Sequence, residues 1–149
     1  MPPLMPEFLD LHGKTNKAVR AAAEAALRGH GLHLGQDHLL AALWERDGRT
    51  PGELAATLNV STPTVVKMAT RMAEAGLLER RRDDKDSRLV RLWLLDEGRR
   101  LRTPIEAERR SLEDRLTASL TSAERDNLLT ALAKIHRAAS GLIDGPVEH

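Results

Sequence analysis

The chain reads as mainly α-helical, with one small two-stranded β-hairpin set into it. Three observations predict this. Leu, Ala and Val dominate the apolar positions, and the only aromatic residues are Phe8, Trp44 and Trp93. Apolar stripes of that composition at helical spacing favour helices. Between Gly76 and Gly98 the period changes. Leu77 and Leu78 open an extended run, a knot of charge follows from Arg80 to Arg88, and then Val90, Leu92 and Leu94 alternate with Arg91, Trp93 and Leu95. Two strands around a charged, turn-rich tip make a hairpin. Immediately before it come a short helix, a tight turn and a second helix with a basic outer face. Together these parts make a winged helix-turn-helix. In that arrangement the second helix enters a DNA major groove and the hairpin reaches the backbone or the adjacent minor groove.

Each element has its own signal. Met1 to Pro6 holds three prolines and reads as an extended arm. Glu7 to about Arg28 is helical, with Phe8, Leu11, Val19, Ala22, Ala26 and Leu27 as its stripe, and Gly29, His30 and Gly31 break it. Gln36 to Arg46 forms the next helix, burying Leu39, Leu40, Leu43 and Trp44 before the Asp47-Gly48 turn. Pro51 to Leu58 is a short helix with proline in its first turn, where a missing N–H costs little. Leu54, Ala55 and Leu58 face inward, Asn59 ends the helix, and Val60 plugs the turn.

Ser61 or Thr62 caps the following helix. At 100° per residue Val65, Val66, Ala69, Met72 and Ala73 gather on one side, with Thr64, Lys67, Arg71 and Glu74 on the other. After the hairpin, Asp96 caps a helix that runs to about Ser119 with Ile105, Leu112, Leu116 and Leu120 along it. Pro104 should kink that helix by removing a backbone bond and crowding the turn before it. Thr121-x-x-Glu124 is a capping box for a last helix faced by Leu128, Leu129, Leu132, Ile135 and Ala139, which Gly141 closes. The tail to His149 should fray. The outer helices are not consecutive and have little to bury against in a monomer, which suggests a shared helical dimer interface. The expected organisation is residues 1–31 as arm and dimerisation helix, 32–96 as the winged lobe, and 97–149 as C-terminal dimerisation helices.

Composition narrows the function. With no cysteine, a disulfide scaffold, a thiolate zinc site and a cysteine redox switch are excluded. No run of about 18 apolar residues is present, and no secretory signal is evident. A cytoplasmic location is the expectation. The net charge of +1 is uninformative, but its distribution is not. Ser61 to Arg91 carries eight bases against five acids, while the remainder carries fifteen against seventeen. Positive charge is concentrated where a duplex would dock. Catalysis has little support: Gly-x-Ser-x-Gly, a glycine-rich phosphate loop and His-Glu-x-x-His are all missing. No enzyme activity and no cofactor are expected.

The segments Thr50-Pro51-Gly52-Glu53-Leu54-Ala55, Ser61-Thr62-Pro63-Thr64-Val65, Gly76-Leu77-Leu78-Glu79-Arg80 and Asp83-Asp84-Lys85-Asp86-Ser87-Arg88 carry a family resemblance. The chain resembles the MarR family of bacterial transcriptional regulators, from about Leu32 to Gly98 in motif and beyond that in helix order. The resemblance implies a homodimer joined by helices from both chain ends. It also implies a pseudo-palindromic duplex operator, repression by promoter occlusion, and release by a small anionic or aromatic ligand bound between the dimer helices and the DNA-binding lobe. The family wing reads Asp-x-Arg-Asp-x-Arg. Here Lys85 replaces the first arginine, a point donor in place of a planar fork.

The expected DNA contacts are Ser61, Thr62, Thr64, Lys67 and Arg71 on the helix, and Arg80, Arg81, Arg82, Lys85, Asp86 and Arg88 on the hairpin. Arg88 is suited to a narrow minor groove, where the negative potential is enhanced, with Asp86 orienting it. Arg71 suits guanine and Lys67 a phosphate. Arg80, Arg81, Arg82 and Lys85 should mostly touch phosphates, with some merely pairing with Asp83 and Asp84. Two alternatives stand beside this reading. His30, His33 and His38 lie close enough in sequence to raise a zinc-responsive regulator, although their spacing does not suit one helical face. The other alternative is a winged-helix interaction module that does not bind DNA.

Overall fold

The structure, a computed structural model, describes residues 7–144; the expected N-terminal arm and the end of the C-terminal tail lie outside the described residues. In chain order the elements are α1 Glu7–Arg28, α2 Gln36–Glu45, α3 Pro51–Leu58, α4 Thr62–Glu74, β1 Leu78–Arg82, β2 Val90–Leu94, α5 Asp96–Arg100, α6 Arg102–Thr117 and α7 Ser122–Ile143. The chain divides into two compact units, Met1–Leu112 and Glu113–His149.

In the first unit, local chemistry sets the helix-turn-helix. Thr50 caps α3 by accepting from the Glu53 N–H, and Ser61 caps α4 by accepting from the Thr64 N–H at 3.2 Å. Each cap is followed by a proline in the first turn. Asn59 ends α3 in the left-handed conformation, φ 55°, which asparagine tolerates better than most residues. Leu54, Val65, Ala69 and Met72 then meet Leu39, Leu40 and Leu43 of α2 in one core. Leu78, Leu92 and Leu94 close that core from the hairpin, and Leu27 and Ile105 join it from α1 and α6.

The strands pair antiparallel in a register running from Leu78↔Leu94 to Arg82↔Val90. Arg49 bridges the free edge of β2: its carbonyl accepts from the Leu92 N–H at 3.0 Å, and the neighbouring Gly48 N–H donates to the Leu92 carbonyl at 3.1 Å. Trp44 is only partly buried, and its indole N–H donates to the Gly98 carbonyl at 2.8 Å. That bond brings α5 close to the lobe. A Cβ on Gly98 would overlap the Leu77 carbonyl oxygen.

Several sequence expectations are corrected. Val60 and Val66 are both 40% exposed rather than buried. Val66 sits at the edge of the α4 stripe, beyond the reach of the core. Asp96 is the first residue of α5, and the cap position is Leu95, with no side-chain capping bond. The long helix after the hairpin is two helices interrupted at Leu101. Pro104 explains the interruption, since it has no N–H for the Arg100 carbonyl one turn back and its ring crowds that carbonyl. In the second unit the Thr121–Glu124 capping box is formed reciprocally. Gly141, expected to close α7, lies inside it; Asp144 is the C-cap. Leu128, Leu129, Leu132 and Ile135 of α7 are all exposed in the single chain.

Candidate nucleic-acid interface

α4 carries the first half of the site. Ser61, Thr62, Thr64, Lys67 and Arg71 are all exposed. The Ser61 and Thr64 hydroxyls lie 2.7 Å apart, so this pair is engaged in the cap. Lys67 and Arg71 have no side-chain partner among the described residues.

The hairpin carries the second half, and its arginines are not equivalent. Arg88 at the tip is 88% exposed in its side chain. Asp86 accepts from its Nε at 3.1 Å, its Nη2 at 3.3 Å and its backbone N–H at 3.1 Å. The guanidinium is therefore held by a two-pronged contact while remaining in solvent. Arg88 keeps the Asp86 carboxyl below its ordinary range, first through the side-chain bond and then through the backbone bond. Lys85 is exposed, and its N–H donates to Asp83. Arg82 reaches the Ser87 carbonyl at 3.5 Å.

Two of the expected phosphate contacts are engaged within the protein instead. Arg80 donates to the Val66 carbonyl at 3.2 Å and to the Thr70 hydroxyl, so it fastens β1 to α4. Arg81 bonds Glu79 and stacks over the Trp93 ring, 5.4 Å from its centroid. The same ring lies against Gly48, where φ is +71° and a side chain would collide with the indole.

Sequence reasoning missed the groups that hold the tip. Asp83 accepts from Arg91 Nε at 2.7 Å with one oxygen, and from the N–H groups of Lys85 and Asp86 with the other. Arg91 also donates to the Gly48 carbonyl at 3.0 Å, fixing the wing to the loop before α3. Arg91 holds the Asp83 carboxyl below its ordinary range and is itself raised by Asp83. The Asp83–Arg91 spacing spans the hairpin, a signal that register alone could have revealed.

The three histidines are not brought together. His33 pairs with Glu24 at 2.8 Å, His30 with Glu108 at 3.6 Å, and His38 lies 3.9 Å from Asp37. Glu24 also accepts from the Leu34 N–H, the first cause of its lowered pKa. Among the described residues no group of three or more His, Cys, Asp or Glu is arranged to hold a metal. A cavity of about 390 Å³ opens between α2 and α6, lined by His38, Trp44, Arg102, Glu106 and Arg109 among others.

Residues 32–90, the segment that builds the helix-turn-helix and most of the wing, match the MarR family. That segment of the chain carries the sequence pattern of the MarR family. That family is one of transcriptional regulators. The chain is 25% identical to the HTH-type transcriptional regulator BilQ of Clostridium symbiosum, over 75% of this chain and 78% of that one. It is 34% identical to the HTH-type transcriptional regulator TtmR of Methylorubrum extorquens over 57% of this chain, a match spanning about half of TtmR, 47%. Among solved structures it is similar to an S. aureus MepR–DNA complex, with a TM-score of 0.81 at 21% identity, covering 90% of this chain and 99% of that one. The last likeness bears on the fold, a winged helix.

Proposed function

We propose that this chain is a homodimeric, sequence-specific duplex-DNA-binding regulator that represses by occluding a promoter. The observation that carries the reading is the pairing of an exposed basic face on α4 with a wing tip whose Arg88 is held ready in solvent by Asp86. A helix in the major groove with a guanidinium in the flanking minor groove uses both. Support comes from the family and from the fold shared with MepR, which was solved with DNA. The site is Ser61, Thr62, Thr64, Lys67 and Arg71 with Arg82, Lys85, Asp86 and Arg88, while Arg80 and Arg81 act mainly on the wing itself. The winged lobe, the flanking dimerisation helices and a cytoplasmic location complete the proposal. No helix among the described residues is long and apolar enough to cross a membrane.

Selection of bound duplexes from a random pool tests this, with wild type and Arg88→Ala in parallel. An inverted repeat with half-sites about one turn apart, weakened in the variant, is expected. Absence of any enriched motif at low salt would sink specific binding and favour the interaction-module reading.

Release by a small ligand belongs to the same proposal. The cavity between α2 and α6 is the candidate ligand site, with Trp44 as an apolar wall and Arg102 and Arg109 already bonded to Glu106 and Asp37. The separate pairing of His30, His33 and His38 favours such a ligand over zinc. Titrating small aromatic acids and zinc separately into the DNA complex distinguishes them.

A further inference from the structure

The outer face of α4 is less polar than its sequence suggests. Val66 is 40% exposed. Pro63, three residues before it, and Thr70, four after it, are also exposed. That spacing puts all three on one stripe. Thr70 has a hydroxyl, but the group is committed. It donates to the Val66 carbonyl at 2.9 Å and accepts from Arg80, whose same nitrogen also donates to Val66 at 3.2 Å. Its proton is bound, and a guanidinium sits on its oxygen. The side-chain methyl is the group left to offer a partner. The stripe is therefore a pyrrolidine ring, an isopropyl group and a methyl, flanked along one side by the unpartnered cations Lys67 and Arg71.

An apolar stripe with cations along one side suits a surface that is anionic at its rim and has methyl groups on its floor. The major groove of DNA is such a surface. Phosphates line its edges, and thymine alone among the four bases presents a methyl there, on C5. We propose that Val66, together with the Thr70 methyl, reads thymine C5-methyl groups in each half-site. Arg80 is the positioning residue that keeps the Thr70 hydroxyl occupied. The inference rests on the DNA-binding reading and adds to it a base and an atom.

The test starts from the duplex that full-length wild type selects. Each half-site thymine is replaced singly by deoxyuridine, which lacks only the methyl. Wild type, Val66→Ala and Thr70→Ser are then compared on the full set. Thr70→Ser keeps the hydroxyl and the Arg80 contact and removes only the methyl. Wild type should lose about fourfold in affinity at one or two positions, the scale of burying one methyl group. Val66→Ala should bind the thymine duplex correspondingly less tightly, with its thymine-to-uracil ratio at one position near unity. Thr70→Ser should do the same at a neighbouring position. A half-site without thymine, wild-type indifference to every deoxyuridine, or an unchanged ratio in both variants would overturn the inference. Those results would leave DNA binding intact, because the duplex had already been selected. Failure to select any duplex removes the DNA-binding reading and this inference with it.

Discussion

The Asp83 carboxylate accepts from Arg91 Nε at 2.7 Å across the tip end of the hairpin. This one pair connects three parts of the wing. The second Asp83 oxygen orders the tip through Lys85 and Asp86, and Arg91 continues to the Gly48 carbonyl. Asp83→Asn should therefore loosen the tip while the lobe stays folded. Operator affinity should fall on the order of tenfold, the scale of one lost charged contact. The cooperative unfolding transition should barely move, since the change is at the surface. Amide exchange at Lys85 and Asp86 should quicken. Unchanged exchange there would show that Asp83 does not hold the tip.

Acid should release the same pair, and the direction follows from the carboxylates. Asp83 and Asp86 both lie below the ordinary aspartate value of 3.8, the first because of Arg91 and the second because of Arg88. A depressed folded-state pKa means that the unfolded chain takes up protons first. The contribution is complete above the ordinary value and is lost as pH falls through the depressed folded values. Wing order should thus be flat through the neutral range and decline only below about pH 4. Carboxyl chemical shifts of Asp83 and Asp86 would check this directly. A wing transition centred near neutrality would contradict it.

Glycines at two positions should respond in opposite senses. Gly98→Ala places a methyl on the Leu77 carbonyl oxygen, backbone that cannot step aside. It should cost about 1–3 kcal/mol or more, as overpacking does. Gly141 lies inside α7 with open space around its Cα. Gly141→Ala should stabilise by about 0.5–1 kcal/mol through helix propensity. Urea unfolding of both variants beside wild type measures the two signs.

That contrast also shows what the sequence makes legible. Elements whose cause is local were readable. Thr50-Pro51, Ser61-Thr62-Pro63 and the Thr121–Glu124 box each start a helix by bonds within four residues. The alternation in Val90–Leu94 showed the strand, because its buried members face one core. Features whose cause is distant were not readable. Gly98 is required by Leu77, and Val66 is left exposed by where the core ends, neither of which spacing along one element reveals. Counting charges located the basic wing. It could not tell that Arg80 lies on α4 while Arg88 stays in solvent.

The difference between Arg80 and Lys67 can be read from salt dependence. A side chain that neutralises a phosphate releases counterions, so removing it lowers the slope of log affinity against log salt by about one. Lys67→Ala should do this with little change in which duplexes are preferred. Arg80→Ala should instead weaken binding and blur sequence preference with the slope unchanged, because its guanidinium bonds Val66 and Thr70. Equal slope losses in the two variants would place Arg80 on the phosphates after all.

The proposed dimer predicts the behaviour of α7. Leu128, Leu129, Leu132 and Ile135 recur at helical spacing and are 41%, 54%, 43% and 37% exposed in the single chain. An exposed apolar stripe of this kind is a candidate interaction surface. In the other unit, Phe8, Leu9 and Leu11 of α1 are likewise exposed. Wild type should therefore sediment as a dimer at micromolar concentration. Leu132→Glu puts a charge into the stripe, and leaving that charge in a buried interface is costly. The variant should sediment as a monomer with its helix content retained. It should also lose the preference for inverted repeats over single half-sites, because two reading helices would no longer be held about one turn apart, roughly 34–36 Å. A monomeric wild type would sink the dimer reading; a dimeric Leu132→Glu would place the interface elsewhere than α7.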